Sequence, residues 1–462
     1  MFSANVYIER RKRLIEQVGD GLILFLGNEE SPMNYPDNPY LFRQNSSFLY
    51  FFGLDFPSLA SVIDINEDEV TIFGNDLTVN DMIWMKPQPP ISQRSREIGV
   101  KKTAPLDKLE GVLKRAVSQG RKIHFLPQSR PEDVLKIQQL LGIHPSVIGD
   151  YVSVKLIKAV AAQRSIKTQK EVERIEAALD ISYQMHTESM KMSKPGVWEM
   201  EVAGAIEGMA LARGGRISFP IIFSIHGETL HNHYHDEIMQ AGDIIVHDSG
   251  AESPLHYASD ITRTIPVSGK FTDRQKEVYN IVLEAQEKAM AAMAPGVEFR
   301  DVHVLAGKVL AERLKELGLM KGDVDEAVHA GAHALFFQCG LGHMMGLDVH
   351  DMEDLGEQYV GYTDTIKRNP QFGICSLRMG KALEVGHVMT VEPGLYFIPQ
   401  LIDQWKAENK LSQFINYGAV EKYRDFGGIR LEDDVLVVKD GCRILGKPIP
   451  KTIEEVEAIC SG

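Results

Sequence analysis

The chain opens with short runs of aliphatic, aromatic and β-branched residues, broken by glycine, asparagine and aspartate. Residues 21–27, 48–53, 60–65 and 70–74 have this pattern and are predicted to be strands. Strand and helix patterns alternate as far as residues 155–160, which implies a smaller α/β domain. A polar stretch, 161–165, follows. Thr168 and Glu171 then have the spacing of a capping box, and Val172, Ile175 and Leu179 recur at helical intervals. A long amphipathic helix is therefore expected to open a second domain near residue 166. The predicted domains are 1–165 and 166–462.

The second domain repeats itself. Met190-Lys-Met-Ser-Lys-Pro195-Gly196-Val197 returns one hundred residues later as Met290-Ala-Ala-Met-Ala-Pro295-Gly296-Val297. Further on, Gly242-Asp-Ile-Ile-Val-His-Asp248-Ser-Gly250 is matched by Gly386-His-Val-Met-Thr-Val-Glu392-Pro-Gly394. In both, a glycine leads into a β-rich strand that ends on a carboxylate, one further residue and a second glycine. Several short motifs repeated in one order predict two α/β halves related by a pseudo-two-fold, each lending acids to a central cleft.

Composition narrows the classes of function. At 462 residues the chain exceeds what a single core usually serves. Its net charge of −14 argues against a nucleic-acid or anionic-membrane partner, since both favour a basic face. No apolar run approaches the roughly 18–20 residues of a membrane span, and Arg10, Arg11, Lys12 and Arg13 have no apolar signal core behind them. Four cysteines lie far apart without a Cys-x-x-Cys pair, which suits a reducing cytoplasm better than a disulfide framework or a zinc cage.

The two halves supply the acids in pairs. The first gives Asp248 and Asp260, the second Glu392 and Glu432. Four carboxylates can be buried together only if cations neutralise them. Two divalent ions balance four carboxylates, and such a pair needs bridging ligands while activating a shared water for attack on a carbonyl. His343, in Gly340-Leu-Gly-His343-Met-Met-Gly346, adds one nitrogen. That donor set suits Mn²⁺, with Co²⁺ or Zn²⁺ as alternatives. A lone aspartate at a strand end is ordinarily a turn or cap, and Asp433 and Asp434 beside Glu432 also read as a solvated acidic turn. Neither reading explains the same strand–acid–x–Gly pattern in both halves.

Other residues near these motifs could do chemistry. His231, His233 and His235 would share one face of an extended stretch, but no matching acid nearby completes a separate zinc site. His233 and His235 read as surface or structural. His247 should face away from Asp248 and pack in the core. Arg430, near Glu432, is placed to orient that carboxylate or touch a substrate.

Four segments resemble the aminopeptidase P and prolidase family of proline-specific "pita-bread" metallopeptidases. They are Ala258-Ser-Asp260-Ile-Thr-Arg-Thr-Ile-Pro266, His343-Met-Met-Gly-Leu-Asp-Val-His350-Asp351, Thr390-Val-Glu392-Pro-Gly394 and Gly428-Ile-Arg430-Leu-Glu432-Asp433. They occur in the family's order, and Phe42-Arg-Gln-Asn-Ser-Ser-Phe-Leu-Tyr50 resembles the family's amino-terminal domain. The resemblance implies that Asp248 binds one metal, that Asp260 and Glu432 bridge two, and that His343 and Glu392 complete the first ion's shell. It also implies that Glu392 relays a proton and that His231 and His350 stand near the scissile carbonyl or leaving nitrogen. Arg378 matches an arginine that grips a dipeptide's free carboxylate, a role suited to a guanidinium fork.

The implied reaction is hydrolysis of Xaa-Pro dipeptides, with longer Xaa-Pro-peptides as the alternative. A homodimer or homotetramer is expected. Residues 398–424 are as long as in prolidases, and Phe426-Gly-Gly-Ile-Arg430 looks closer to prolidase than to aminopeptidase P. The loop Ser224-Ile-His-Gly-Glu-Thr-Leu-His231 departs from the family by lacking a Ser-Gly-x-Asn run, which leaves the pocket for the substrate's amino end open. Two other readings share the fold: a catalytically idle binding module, and a methionine-type aminopeptidase, which usually lacks the large amino-terminal domain.

Overall fold

A computed structural model describes residues 1–462. The chain forms two compact units, Met1–Arg164 with Met352–Val360, and Ser165–Asp351 with Gly361–Gly462.

The first unit is built on a five-stranded sheet of order β4-β3-β2-β1-β5. Its strands are β1 (Leu22–Leu26), β2 (Ala60–Asp64), β3 (Glu69–Phe73), β4 (Lys102–Ala104) and β5 (Ile123–His124). β1 pairs antiparallel with β2 and parallel with β5, and all five of its residues are buried. Leu22, Leu24 and Val62 pack there against Leu113 and Ile137 of covering helices. The strands predicted at 21–27, 60–65 and 70–74 are β1, β2 and β3.

Residues 48–53, expected as a strand, instead lie in the helix Ser46–Phe52 with its closing glycine. Period-2 reasoning fails because all seven helical residues are buried, so no polar face reveals the true period. Asn45 caps the helix by accepting from Phe48 N, and Gly53 ends it at φ 62°. Buried Arg10 and Arg11 donate to the last-turn carbonyls of Tyr50 and Phe51, both at 2.8 Å. Residues 155–160 and the polar stretch 161–165 form one helix, Val154–Ser165. Leu156, Ile157, Val160 and Arg164 are buried along it at helical spacing.

The second unit shows the internal repeat in its backbone. The capping box of Thr168 and Glu171 starts the helix Gln169–Met192. That helix and its counterpart Asp273–Ala292 each end before a Pro-Gly turn, after which Glu199–Ala212 and Phe299–Glu316 begin. Gly196 and Gly296 adopt φ 90° and 88°, and their N–H groups donate over 2.8 Å to the carbonyls of Met239 and Leu383. The strands are β6 (Ile222–Ser224), β7 (Ile244–Ser249), β8 (Ile261–Pro266), β9 (Val388–Val391), β10 (Gly394–Tyr396), β11 (Gly428–Arg430), β12 (Asp433–Val438) and β13 (Gly441–Ile444). They form three small sheets, β6-β7-β8, β13-β12-β9 and β10-β11. β7 runs antiparallel to β8 as β9 does to β12.

This pairing places the four acids symmetrically. Asp248 lies near the end of β7 and Glu392 just after β9, while Asp260 and Glu432 immediately precede β8 and β12. The halves are stitched by Glu432 N donating to Thr262 O at 3.0 Å and Asp260 N donating to Asp434 Oδ2 at 3.1 Å. His247 faces the core, stacked on His186 with ring centroids 4.0 Å apart. No helix is long and apolar enough to cross a membrane.

The second glycine of each strand–acid–x–Gly motif is required by close approach. A Cβ on Gly250 would overlap the Ser259 carbonyl, and one on Gly394 would overlap the Tyr396 hydroxyl. Gly208, in contrast, has nothing within 4 Å of where its Cβ would stand. Gly250→Ala should therefore destabilise the unit by about 1–3 kcal/mol through overpacking. Gly208→Ala should stabilise it by about 0.4–1 kcal/mol, because alanine loses less backbone entropy in the helix. Thermal midpoints of the two variants check this; a neutral Gly250→Ala would show that the strand crossing has room to relax.

Candidate metal centre

The acids meet in a buried cleft, and three of them, Asp248, Asp260 and Glu432, hold an oxygen that has no hydrogen-bond partner. Asp248 accepts from Arg430 Nη2 at 2.6 Å through Oδ2, while its Oδ1 is buried without a hydrogen bond. Glu432 accepts from Thr262 Oγ1 at 2.7 Å through Oε2, leaving Oε1 orphaned. Asp260 likewise has an orphaned Oδ1. Buried carboxylate oxygens left unpaired are costly, and three in one place call for cations.

The imidazole fits the same purpose. His343 Nδ1 lies 3.1 Å from Met344 O, which leaves Nε2 facing Asp260 Oδ2 at 3.4 Å and Glu392 Oε1 at 3.5 Å. Ligand atoms of Asp260, His343 and Glu432 all fall within 4.8 Å of one another. Thr390 Oγ1 ties two members together, accepting from His343 N at 3.0 Å and donating to Glu392 Oε1 at 3.3 Å.

Titration behaviour reports the crowding. Burial, reinforced by the neighbouring carboxylates, pushes Asp260 and Glu432 well above the usual carboxylate range. Burial also raises Glu392 to about 7, against the lowering effect of Arg430. His343 is lowered to about 4 by burial, so its ring is neutral and ready to ligate at neutral pH. The donor set of Asp260, His343 and Glu432 therefore fits a metal ion, and Glu392 Oε1 stands 3.5 Å from His343 Nε2.

Asp433 and Asp434 are not a solvated turn: they are 3% and 0% exposed. Asp434 adds a further carboxylate to the cleft, and the Arg430 guanidinium adds one positive charge. Burial holds Asp434 well above the ordinary carboxylate range, and Arg430 pairs with Asp248. Arg430 does not orient Glu432 directly. Its fork holds Asp248, and it also donates to Tyr396 OH at 3.0 Å and Thr262 Oγ1 at 3.1 Å.

The remaining candidates surround this cluster. His350 stands edge-on to His343, with ring centroids 4.4 Å apart at 77°. His231 lies exposed at the rim, and partial desolvation followed by the charge of Arg430 lowers its pKa. Arg378 is half-buried, and its charge acts on His231, His343 and Glu392. Residues 231–235 form no strand; His235 turns its Nδ1 to Phe223 O at 3.3 Å and His233 to Ile221 O at 3.5 Å. Thr262, Thr390, Tyr396 and Asp434 were missed in the sequence. Thr262 and Thr390 stand two residues from Asp260 and Glu392, and period-2 spacing puts such residues on the acid's own side of an extended chain.

A pH dependence follows. In the metal-free chain, Asp260, Glu392 and Glu432 keep protons that an unfolded chain releases above about pH 4. Stability therefore falls as pH rises towards their folded pKa values. Buried histidines such as His343 act oppositely, but only up to about pH 6.5, where unfolded histidine titrates. Divalent metal replaces the held protons, so the rise in Tm on adding Mn²⁺ should widen between about pH 6.5 and 8. Thermal scans in chelator and in Mn²⁺ measure this; a constant or shrinking difference contradicts it.

Comparison with known proteins agrees with the geometry. The family model described as metallopeptidase family M24 matches residues 173–439, and that of the aminopeptidase P N-terminal domain matches residues 7–124. The Xaa-Pro dipeptidase of Homo sapiens is 33% identical over 98% of this chain and 91% of that protein. A probable Xaa-Pro aminopeptidase of Aspergillus fumigatus is 31% identical over 92% of this chain and 89% of that protein. Among solved structures, Escherichia coli aminopeptidase P with the inhibitor Pro-Leu superposes with a TM-score of 0.81 at 28% identity, covering 100% of this chain and 98% of that one. The chain belongs to metallopeptidase family M24 and has the mixed α/β fold of aminopeptidase P, with that enzyme's type of N-terminal domain preceding the catalytic one.

Proposed function

We propose that this chain is a two-metal Xaa-Pro dipeptidase that hydrolyses the bond before proline. The observation that carries the reading is the set of orphaned acid oxygens around neutral His343, with Arg378 charged beside them. Asp248, Asp260, His343, Glu392 and Glu432 would hold two divalent ions, Mn²⁺ in preference to Co²⁺ or Zn²⁺. When bound, such ions acidify water and polarise a carbonyl oxygen.

The chain's own residues do the rest. Glu392 takes the proton released from the attacking water and passes it on. Cleavage turns the tertiary proline amide into a secondary amine, so the departing nitrogen must gain a proton. His231 and His350 stand on the substrate side, where they hydrogen-bond the reacting carbonyl and that nitrogen. Arg378 receives the free carboxylate of the dipeptide, and Arg430 keeps Asp248 in place.

The second reading is an Xaa-Pro aminopeptidase acting on longer peptides. It is favoured by the likeness to aminopeptidase P structures at TM-score 0.81. We further infer domains at 1–165 and 166–462, a homodimer or homotetramer, and a cytoplasmic location suited to four free cysteines.

Initial rates with Mn²⁺ on Xaa-Pro dipeptides, Xaa-Pro amides, longer Xaa-Pro-peptides and Met-Xaa peptides separate these activities. A dipeptidase should strongly prefer the free dipeptide over its amide; equal rates, or a preference for longer peptides, favour the aminopeptidase. Arg378→Ala should raise KM for the dipeptide by roughly 10–100-fold, the worth of a charge-assisted hydrogen bond. An unchanged KM would remove the carboxylate grip.

A further inference from the structure

Behind the acids, on the side away from the cleft residues so far described, lies a fully buried guanidinium that the reaction itself does not use. Arg263 is 0% exposed and every one of its N–H groups has an acceptor. Nη1 donates to two carbonyls, Thr262 O at 2.9 Å and Glu432 O at 2.6 Å. Nη2 donates to Asp433 Oδ1 at 2.7 Å and Ile449 O at 2.9 Å, and Nε to Pro450 O at 2.9 Å. One nitrogen thus pins together the start of β8 and the residue just before β12, the two places where Asp260 and Glu432 are mounted.

The network continues to a third acid. Asp433 Oδ2 accepts from Lys451 Nζ at 2.7 Å, and Lys451 Nζ also donates to Gln286 Oε1 at 3.2 Å. Buried Gln286 in turn donates Nε2 to Val391 O at 3.1 Å, one residue before Glu392.

A buried ion pair is poor evidence of stabilisation, since apolar residues of similar volume often serve as well. Its fully satisfied, directional hydrogen bonds are better suited to fixing geometry. A metal pair demands such geometry, because its ions must sit about 3.5–4 Å apart to share bridging ligands.

We propose that Arg263 is a positioning residue for the metal pair. Acting through the Thr262 and Glu432 carbonyls and the Asp433–Lys451–Gln286 chain, it sets the spacing of Asp260, Glu392 and Glu432. It thereby determines that two ions are held as a coupled pair and not as one isolated ion. This rests on the metal-centre reading above.

The test is Mn²⁺ titration of the full chain, with electron paramagnetic resonance reporting whether bound ions are exchange-coupled. Wild type should show two coupled ions. Arg263→Met should weaken the second ion by roughly 10–100-fold, the usual effect of losing an outer partner of a metal ligand, and convert the spectrum to that of an isolated ion. Lys451→Met, at the 17% exposed end of the network, should shift the spectrum the same way if Arg263→Met fails to fold. Lys451→Arg should restore coupling, because it can still donate to both Asp433 and Gln286. Arg313→Met, which removes the surface contact to Glu284, should leave the spectrum unchanged. Coupled ions of wild-type affinity in Lys451→Met and in any folded Arg263→Met would overturn the proposal alone. A wild-type chain that binds no Mn²⁺ would overturn the metal-centre reading and this proposal with it.

Discussion

Mutual repulsion among buried acids is the constraint on which this molecule depends. Asp248, Asp260, Glu392 and Glu432 converge where water is largely excluded, and three of them leave an oxygen unsatisfied. In such a place a carboxylate must keep its proton, find a cation or force the fold apart. The raised pKa values of Asp260, Glu392 and Glu432 show the first option in force without metal. Arg430 is the protein's own cation bonded to this cluster, and it pairs with Asp248. Asp260, Glu392 and Glu432 are left to protons or to ions from outside.

The pseudo-two-fold architecture is a way of bringing such unfriendly groups together on rigid backbone. Each half offers two antiparallel strands, with one acid at the end of the first and another just before the second. Two residues after each strand-end acid stands a glycine, because the Ser259 carbonyl in one half and the Tyr396 hydroxyl in the other lie too close for a Cβ. Hydrogen bonds between the halves, from Glu432 N to Thr262 O and from Asp260 N to Asp434, then fix the two acid pairs against each other. Loops could not hold four repelling charges to the same tolerance.

Much of this was legible in the sequence, for identifiable reasons. The repeated Pro-Gly turns and strand–acid–x–Gly motifs are local signals, and each half carries its own copy. Charge balance and a family resemblance picked out the four acids and His343, which the fold brings together. The helix Ser46–Phe52 was not legible as a helix, because uniform burial erased its period and left aromatic composition to suggest a strand. Arg430 was recognised, but its partner was misassigned: near neighbours in sequence pointed to Glu432, whereas folding carries the guanidinium to Asp248, in the other half. The contacts of Arg263 and Asp434 were not legible, since they reach across the strands and no spacing records them.

The central claim is that this cleft is built for two divalent ions. It is tested most directly by counting metal in the purified chain after equilibration with excess Mn²⁺ and dialysis. The expected count is two ions per chain, falling on Asp260→Asn substitution. A count of zero or one in the wild-type chain would contradict it, because the acids would then have to remain protonated and the four-acid arrangement would lack its physical reason.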